Sequence, residues 1–333
     1  MISLGPVVQA HPPKRTSPSY GLKYSAVEGE AADYGTALGA GQTFPAIILH
    51  APATPTLWGM STALPHIAFI GGGNMASAII GGLICQGMAP SQFTVIEPFV
   101  ETAAKLKADF GISALSAAGP ALAQADLVVW AVKPQVFAEA AAPVSPHTRQ
   151  ALHLSVAAGI RTDSIRRWLG SDRVVRSMPN TPALVGQGIT GLFPCPAVSA
   201  TDRAMVEQVI RTTGQYVWVD NEAHLDAVTA LSGSGPAYVF YFLEAMTEAG
   251  SGMGLSAEQA RQLAIATFSG AAALAGASQE PLEVLRQRVT SKGGTTYAAL
   301  TSMESAQIKP AFVKAMQAAE QRARELGDEF GKA

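Results

Sequence analysis

Two short stretches carry residue types and spacings that could do chemistry. The first is Gly71, Gly73 and Ala76 within GGGNMA, the pattern G-x-G-x-x-A. At a strand-to-helix turn each small residue has its own task. Gly71 permits the tight turn, Gly73 lets the backbone approach a pyrophosphate, and Ala76 lets helix and strand pack closely. The N–H groups at the helix start then face the anion. The second stretch is Ser291-Lys292-Gly293-Gly294-Thr295-Thr296, a flexible glycine pair that opens onto a helix start with two hydroxyls. Such a loop can hold a carboxylate with backbone N–H groups and offer an O–H to a neighbouring nitrogen. Taken alone, it also reads as a helix connector with Thr295 as N-cap.

A third residue bears on the first stretch. The run FTVIE ends in Glu97, about 20 residues beyond Ala76, where a dinucleotide-binding unit places the acid that meets a ribose. A carboxylate there accepts from a free 2′-hydroxyl and repels a 2′-phosphate, which leans toward NAD and leaves NADP open. The alternative is a solvated acid at a strand end.

These residues need a parallel sheet to position them. His66 to Ile70 reads as a buried strand followed by a helix to about Gln86, and Phe93 to Glu97 as the next strand. Asp126–Gln135, Leu152–Ile160 and Arg173–Leu184 hold further apolar runs. Continuous apolar runs suit strands covered by helices on both faces, and ligands of such sheets bind at the carboxyl ends. Those ends carry Lys133-Pro134, Ala158-Gly159 and Met178 to Pro182. After Asp220 the strand signal stops. His224 to Gly250 opens helical, breaks at Ser232 to Gly235 and restarts at Pro236, a residue suited to a first helical turn. Ala237 to Met246 is apolar almost all round, so it must be buried on most sides. A second subunit is the expected cover.

The expectation is an α/β fold: an N-terminal Rossmann-type doubly wound sheet over residues 60–221, then an all-α dimerisation and substrate domain over 222–333. Residues 1–59, with Pro6, Pro12, Pro13, Pro18, Pro45, Pro52 and Pro55 and no sustained period, read as a disordered or mistranslated extension, with Met60 as the native start. The chain of 333 residues has a net charge of −2 and no basic stripe, which argues against nucleic acid. No apolar run reaches the ~18–20 residues of a membrane span. Two cysteines, Cys85 and Cys195, suggest neither a disulfide framework nor a metal cluster, and a reducing cytoplasm fits. His66, His153 and His224 stand singly in apolar contexts and read as packing residues, so no metal is expected.

Six blocks in order, IAFIGGGNMASAIIGGL, AVKPQ, SVAAGI, VRSMPNTPALVGQGITGL, DAVTALSGSGPAYVF and VTSKGGTTYAAL, resemble the pyrroline-5-carboxylate reductase family. The resemblance runs from about Met60 to the C-terminus. It implies reduction of Δ1-pyrroline-5-carboxylate to L-proline by NADPH or NADH, in homodimers that often assemble into a decamer, with the substrate pocket where two subunits meet. It implies cofactor contacts at Gly71, Gly73, Asn74 and Met75, at Ala131, Val132, Lys133 and Pro134, and at Ala158 and Gly159. The implied substrate loop is Gly293, Gly294, Thr295 and Thr296. Thr296 is the expected hydrogen-bond donor to the ring nitrogen, with the N–H groups of Gly294 and Thr295 on the carboxylate. Glu222 is a further substrate candidate, with solvated charge as the alternative. The chain departs from the family at Lys292, where proline is usual, and at Ala117-Ala118, where Ser or Asn is common. Competing readings are a reductase of another small cyclic imine and a non-catalytic dinucleotide-binding regulator.

Overall fold

The computed structural model describes residues 65–331. The expected extension of residues 1–59 and the expected start at Met60 lie outside the described residues. β1 (Ile67–Ile70) is buried along its whole length, as are β2 (Phe93–Ile96), β3 (Leu127–Trp130) and β4 (Leu152–Ser155). Such strands show no alternation because helices cover both faces. α1 (Asn74–Cys85) buries Ala76, Ile79, Ile80 and Leu83, one stripe at helical spacing. α2 (Val100–Phe110) stops at Gly111, whose φ of 72° is left-handed. α3 (Phe137–Val144) and α4 (Thr162–Leu169) follow the third and fourth strands. β5 (Val174–Met178) completes the parallel part.

Two further strands were not foreseen in the sequence. β6 (Gly188–Pro194) runs antiparallel to β5, and β7 (Gly214–Trp218) runs parallel to β6 after α5 (Ala200–Arg211). The sheet order is β2-β1-β3-β4-β5-β6-β7. β7 is half-buried and exposed in alternation, so it offers no continuous apolar run. Gly188 and Gly214 let these two strands start in close contact: a Cβ on Gly214 would stand 2.0 Å from the Gly188 carbonyl oxygen.

The change from sheet to helices falls between Trp218 and His224. α6 (His224–Val228) passes into a π-helical turn, Thr229–Gly233, and then α7 (Gly235–Gly252). The expected break at Ser232 to Gly235 is therefore a widened helical turn. α8 (Ala257–Ala277) is capped by Ser256 and Gln259 reciprocally and packs on α7, where a Cβ on Gly250 would come within 2.8 Å of the Ala260 methyl. α9 (Leu282–Arg288), α10 (Thr295–Ser305) and α11 (Ile308–Phe330) complete the described chain. Within one chain α7 buries Gly250 alone, leaving Phe240 59% and Tyr241 69% exposed. Apolar surface of this extent on a helix marks a face that meets another chain.

Candidate active site

In the order β2-β1-β3 the chain reverses direction across the sheet at β1, and the crevice beyond the ends of β1 and β3 is where such folds take a ligand. The register sets Ile70 beside both Ile96 and Trp130, and Trp130 beside Ser155. Gly71 to Gly73, Glu97, Ala131 to Pro134, and Ala158-Gly159 thus follow four adjacent strand ends on one edge.

Three glycines shape the turn, each for a different reason. Gly71 has φ +93°, and a Cβ there would lie 2.7 Å from the Ala131 carbonyl oxygen; its N–H donates to the Ile96 carbonyl at 2.9 Å. Gly72 packs against α2, since its Cβ would fall 2.5 Å from Leu106 Cδ1. Gly73 is the N-cap of α1, and a Cβ there would meet nothing within 4 Å. It therefore faces open space at a helix start with no side-chain cap, where an anion is favoured. Asn74 is exposed beside it, and Met75 is partly buried. The sequence pattern identified Gly71 and Gly73 and passed over Gly72, because its neighbour Leu106 is remote in sequence.

Glu97 is no solvated strand end. It is 6% exposed, its Oε2 accepts the Gly72 N–H at 2.8 Å, and its Oε1 accepts the Phe99 N–H at 2.9 Å. Ala131 and Val132 are half-buried and Lys133 is exposed at the β3 end, where Pro134 opens a short 3-10 turn. Ala158 is exposed, whereas Gly159 (φ +75°) lies under α11, with a notional Cβ 3.1 Å from the Phe330 ring. The crevice fits a dinucleotide: small residues at Gly71 and Gly73, a free helix start and a fixed acid.

Glu222, at the junction before α6, is engaged within the chain. Its Oε1 accepts the Thr162 N–H at 2.7 Å and Arg176 Nη1 at 2.9 Å, and its Oε2 accepts the Thr162 hydroxyl at 2.7 Å. Arg176 also lies 3.6 Å from Asp226, and Arg161 reaches Asp226 at 3.8 Å and Asp328 at 3.2 Å. These groups tie the sheet to α6 and α11, so Glu222 is an ion-paired, hydrogen-bonded carboxylate rather than a solvated charge. Arg176, 3% exposed, and Asp226, 2% exposed, escaped the sequence reading because they sit inside a strand and a helix with no motif around them.

A groove of about 700 Å³ opens between the sheet and the helices, lined by Asn180, Ser232, Tyr238, Phe242, Phe268 and Phe312 among others. The π-helical turn brings Ser232 Oγ to 3.2 Å from Asn180 Nδ2, and Asn180 Oδ1 accepts the Ile189 N–H at 3.0 Å. Gly233 makes this approach feasible, since a Cβ there would stand 2.3 Å from Met178 Cε. The Tyr238 hydroxyl is buried without a partner among the described residues.

The loop before α10 is exposed from Ser291 to Gly293 and again at Thr295 and Thr296. The Gly294 N–H donates to the Ser291 carbonyl at 3.0 Å, so the free donors of the helix start are those of Thr295, Thr296 and Tyr297. Gly294, not Thr295, is the N-cap, and the Thr295 and Thr296 hydroxyls have no hydrogen bond among the described residues. Lys292 is exposed and forms no ion pair within the described chain. Among the described residues no hydrogen bond joins this loop to the strand ends that hold Gly71 and Glu97.

A doubly wound sheet with a glycine-rich first turn, followed by an apolar helical region, defines a dinucleotide-dependent oxidoreductase that assembles through its helices. Comparison with known proteins agrees at both ends: residues 66–159 match the family described as NADP oxidoreductase coenzyme F420-dependent, and residues 222–326 match pyrroline-5-carboxylate reductase dimerisation. Pyrroline-5-carboxylate reductase of Pseudomonas aeruginosa is 45% identical over 276 residues, spanning 82% of this chain and all of the relative. The chain belongs to the pyrroline-5-carboxylate reductase family. Among solved structures, the Coxiella burnetii pyrroline-5-carboxylate reductase superposes with a TM-score of 0.75 at 38% identity, covering 79% of this chain and 99% of that one. The Plasmodium falciparum pyrroline carboxylate reductase with NADP bound gives 0.71 at 28% identity, covering 79% and 98%.

Proposed function

We propose that this protein reduces Δ1-pyrroline-5-carboxylate to L-proline with NADPH or NADH, the final step of proline biosynthesis. The observation that carries the reading is a dinucleotide crevice in the same chain as an exposed helix start whose Thr295 and Thr296 hydroxyls have no partner of their own.

The substrate is a cyclic imine bearing a carboxylate. A bound cofactor would supply the hydride for the imine carbon, and the ring nitrogen takes its proton from solvent by way of the Thr296 hydroxyl. The N–H groups of Thr295 and Thr296 hold the carboxylate, with the helix start adding ~0.3–2 kcal/mol. The Thr296 hydroxyl donates to the ring nitrogen. The loop has no His, Asp or Glu to act as an acid, so the rate rests on orientation, which can supply ~7–11 kcal/mol. Gly71, Gly73, Asn74 and Met75 take the pyrophosphate side, and Ala131 to Pro134 with Ala158 and Gly159 line the nicotinamide side.

In this reading the site is shared. The loop before α10 of one subunit enters the groove at Asn180, Ser232 and Tyr238 of the other, where an unpartnered buried hydroxyl awaits a polar group. Residues 60–221 and 222–333 act as cofactor and assembly domains, and five dimers form a decamer. A cytoplasmic setting fits two free cysteines. No described helix is long and apolar enough to cross a membrane.

The test supplies Δ1-pyrroline-5-carboxylate with NADPH or NADH and quantifies L-proline. Proline formed in step with cofactor oxidation supports the reading. No proline from an enzyme that still binds cofactor would move the assignment to another cyclic imine or to a regulator.

A further inference from the structure

We infer that this chain selects NADH over NADPH and that Glu97 and Glu101 set the choice; the inference rests on the reading of the strand-end crevice as the cofactor site. Glu97 is fixed by the N–H groups of Gly72 and Phe99, one on each oxygen, on opposite sides of the crevice turn. A carboxylate held at both oxygens cannot swing aside to admit a second anion. It still has lone pairs free to accept from a ribose hydroxyl, and it offers a phosphate no donor.

The nearest alternative holder of a 2′-phosphate is the start of α2, since helix starts favour anions. Here Phe99 is the N-cap without a side-chain cap, its N–H is taken by Glu97, and Glu101 places a second carboxylate in the first turn. Among the described residues no ion pair or hydrogen bond sets a cation on Glu97 or Glu101. Residues 97–104 contain no Lys or Arg, and neither does Gly111 to Ala125. The latter segment lies against β2, with Leu115 N–H on the Val95 carbonyl and the Glu97 N–H on the Leu115 carbonyl, each at 2.8 Å. The first bases on α2 are engaged toward its far end: Lys105 meets Asp109 at 2.7 Å, and Lys107 reaches the Gly111 carbonyl at 3.3 Å. Recognition of a 2′-phosphate calls on an arginine or similar donor, which this end of the crevice lacks. The NADP held by the Plasmodium falciparum relative therefore does not carry over as this chain's preferred cofactor.

Calorimetric titration of the full chain with ADP-ribose and with 2′-phospho-ADP-ribose isolates the adenosine half from any turnover. The expected result is that ADP-ribose binds about tenfold or more tightly. Glu101→Lys, an exposed change that leaves the glycine turn intact, is expected to narrow the gap, and Glu97→Gln to narrow it further. Equal or tighter binding of the phosphorylated probe to the wild-type chain overturns the inference. Binding of neither probe removes the cofactor reading and the inference with it. A failure to make proline with the ADP-ribose preference intact would count against the proposed reaction alone.

Discussion

Arg176 on β5 and Glu222 ahead of α6 meet at 2.9 Å, joining the nucleotide-binding sheet to the helices through a guanidinium that is 3% exposed. The same guanidinium faces Asp226, which is 2% exposed and whose other cation is Arg161 at 3.8 Å. Removing one member of a buried charged cluster strands the others without water, at a cost of ~3–5 kcal/mol. Arg176→Ala is therefore expected to lower unfolding stability by that order in urea titration. A loss below ~1 kcal/mol would mean that solvent reaches the cluster.

Thr296→Ala tests the hydroxyl assigned to the ring nitrogen. Loss of one positioned hydrogen bond worth ~1–3 kcal/mol should reduce kcat by about tenfold or more. Cofactor affinity should stay unchanged, because the Thr296 hydroxyl is assigned to the substrate ring and not to the pyrophosphate or ribose. An unchanged kcat/KM would remove Thr296 from the mechanism.

The glycine turn, the five parallel strands and the exposed threonine loop were legible in the sequence because each rests on local signals. Apolar runs, small residues and a glycine pair act within a few positions of one another. The partners of Glu222, Thr162 and Arg176, were not legible because they are distant in sequence and come together only when the sheet forms. β6 and β7 were missed because Gly188, Gly191 and Gly214 break the apolar pattern, Gly188 and Gly214 to let the two strands meet and Gly191 to let α6 pack on β6. The π-helical turn looked like a break because Gly233 resembles a terminator, whereas its task is to clear Met178.

Gly71→Ala places a side chain at φ +93° and 2.7 Å from the Ala131 carbonyl. The left-handed backbone alone costs ~1–2 kcal/mol, and backbone cannot yield as a flexible side chain does. Loss of cofactor binding together with lowered thermal stability is expected by fluorescence titration and calorimetry. Gly73→Val should differ: its Cβ meets nothing within 4 Å and its φ is −68°, so stability holds while the branched side chain blocks the anion.

His153 accepts the Trp130 indole N–H at 3.1 Å in the core, and burial pushes its imidazole down to about 4. The unfolded chain takes up this proton near pH ~6.5, and the folded core takes it up only near 4. The stability that His153 contributes by staying neutral is full above that upper value and is lost as pH falls through the window, by about 3 kcal/mol. His153→Asn, which retains an acceptor for Trp130, should flatten this part of the stability profile in urea titrations across the window. An unaltered slope would place the titration elsewhere.

Co-expression of two inactive variants tests a site built from the cofactor crevice of one subunit and the substrate loop of another. Gly73→Val blocks the crevice, and Thr296→Glu repels the substrate carboxylate at the exposed loop. Each homodimer should be inactive, while the mixed dimer keeps one crevice and one loop intact in a single shared site. Proline formation by the mixture, well above the sum of the two parents, is the predicted result. A mixture no better than its parents would contradict the account by placing crevice and loop in the same subunit.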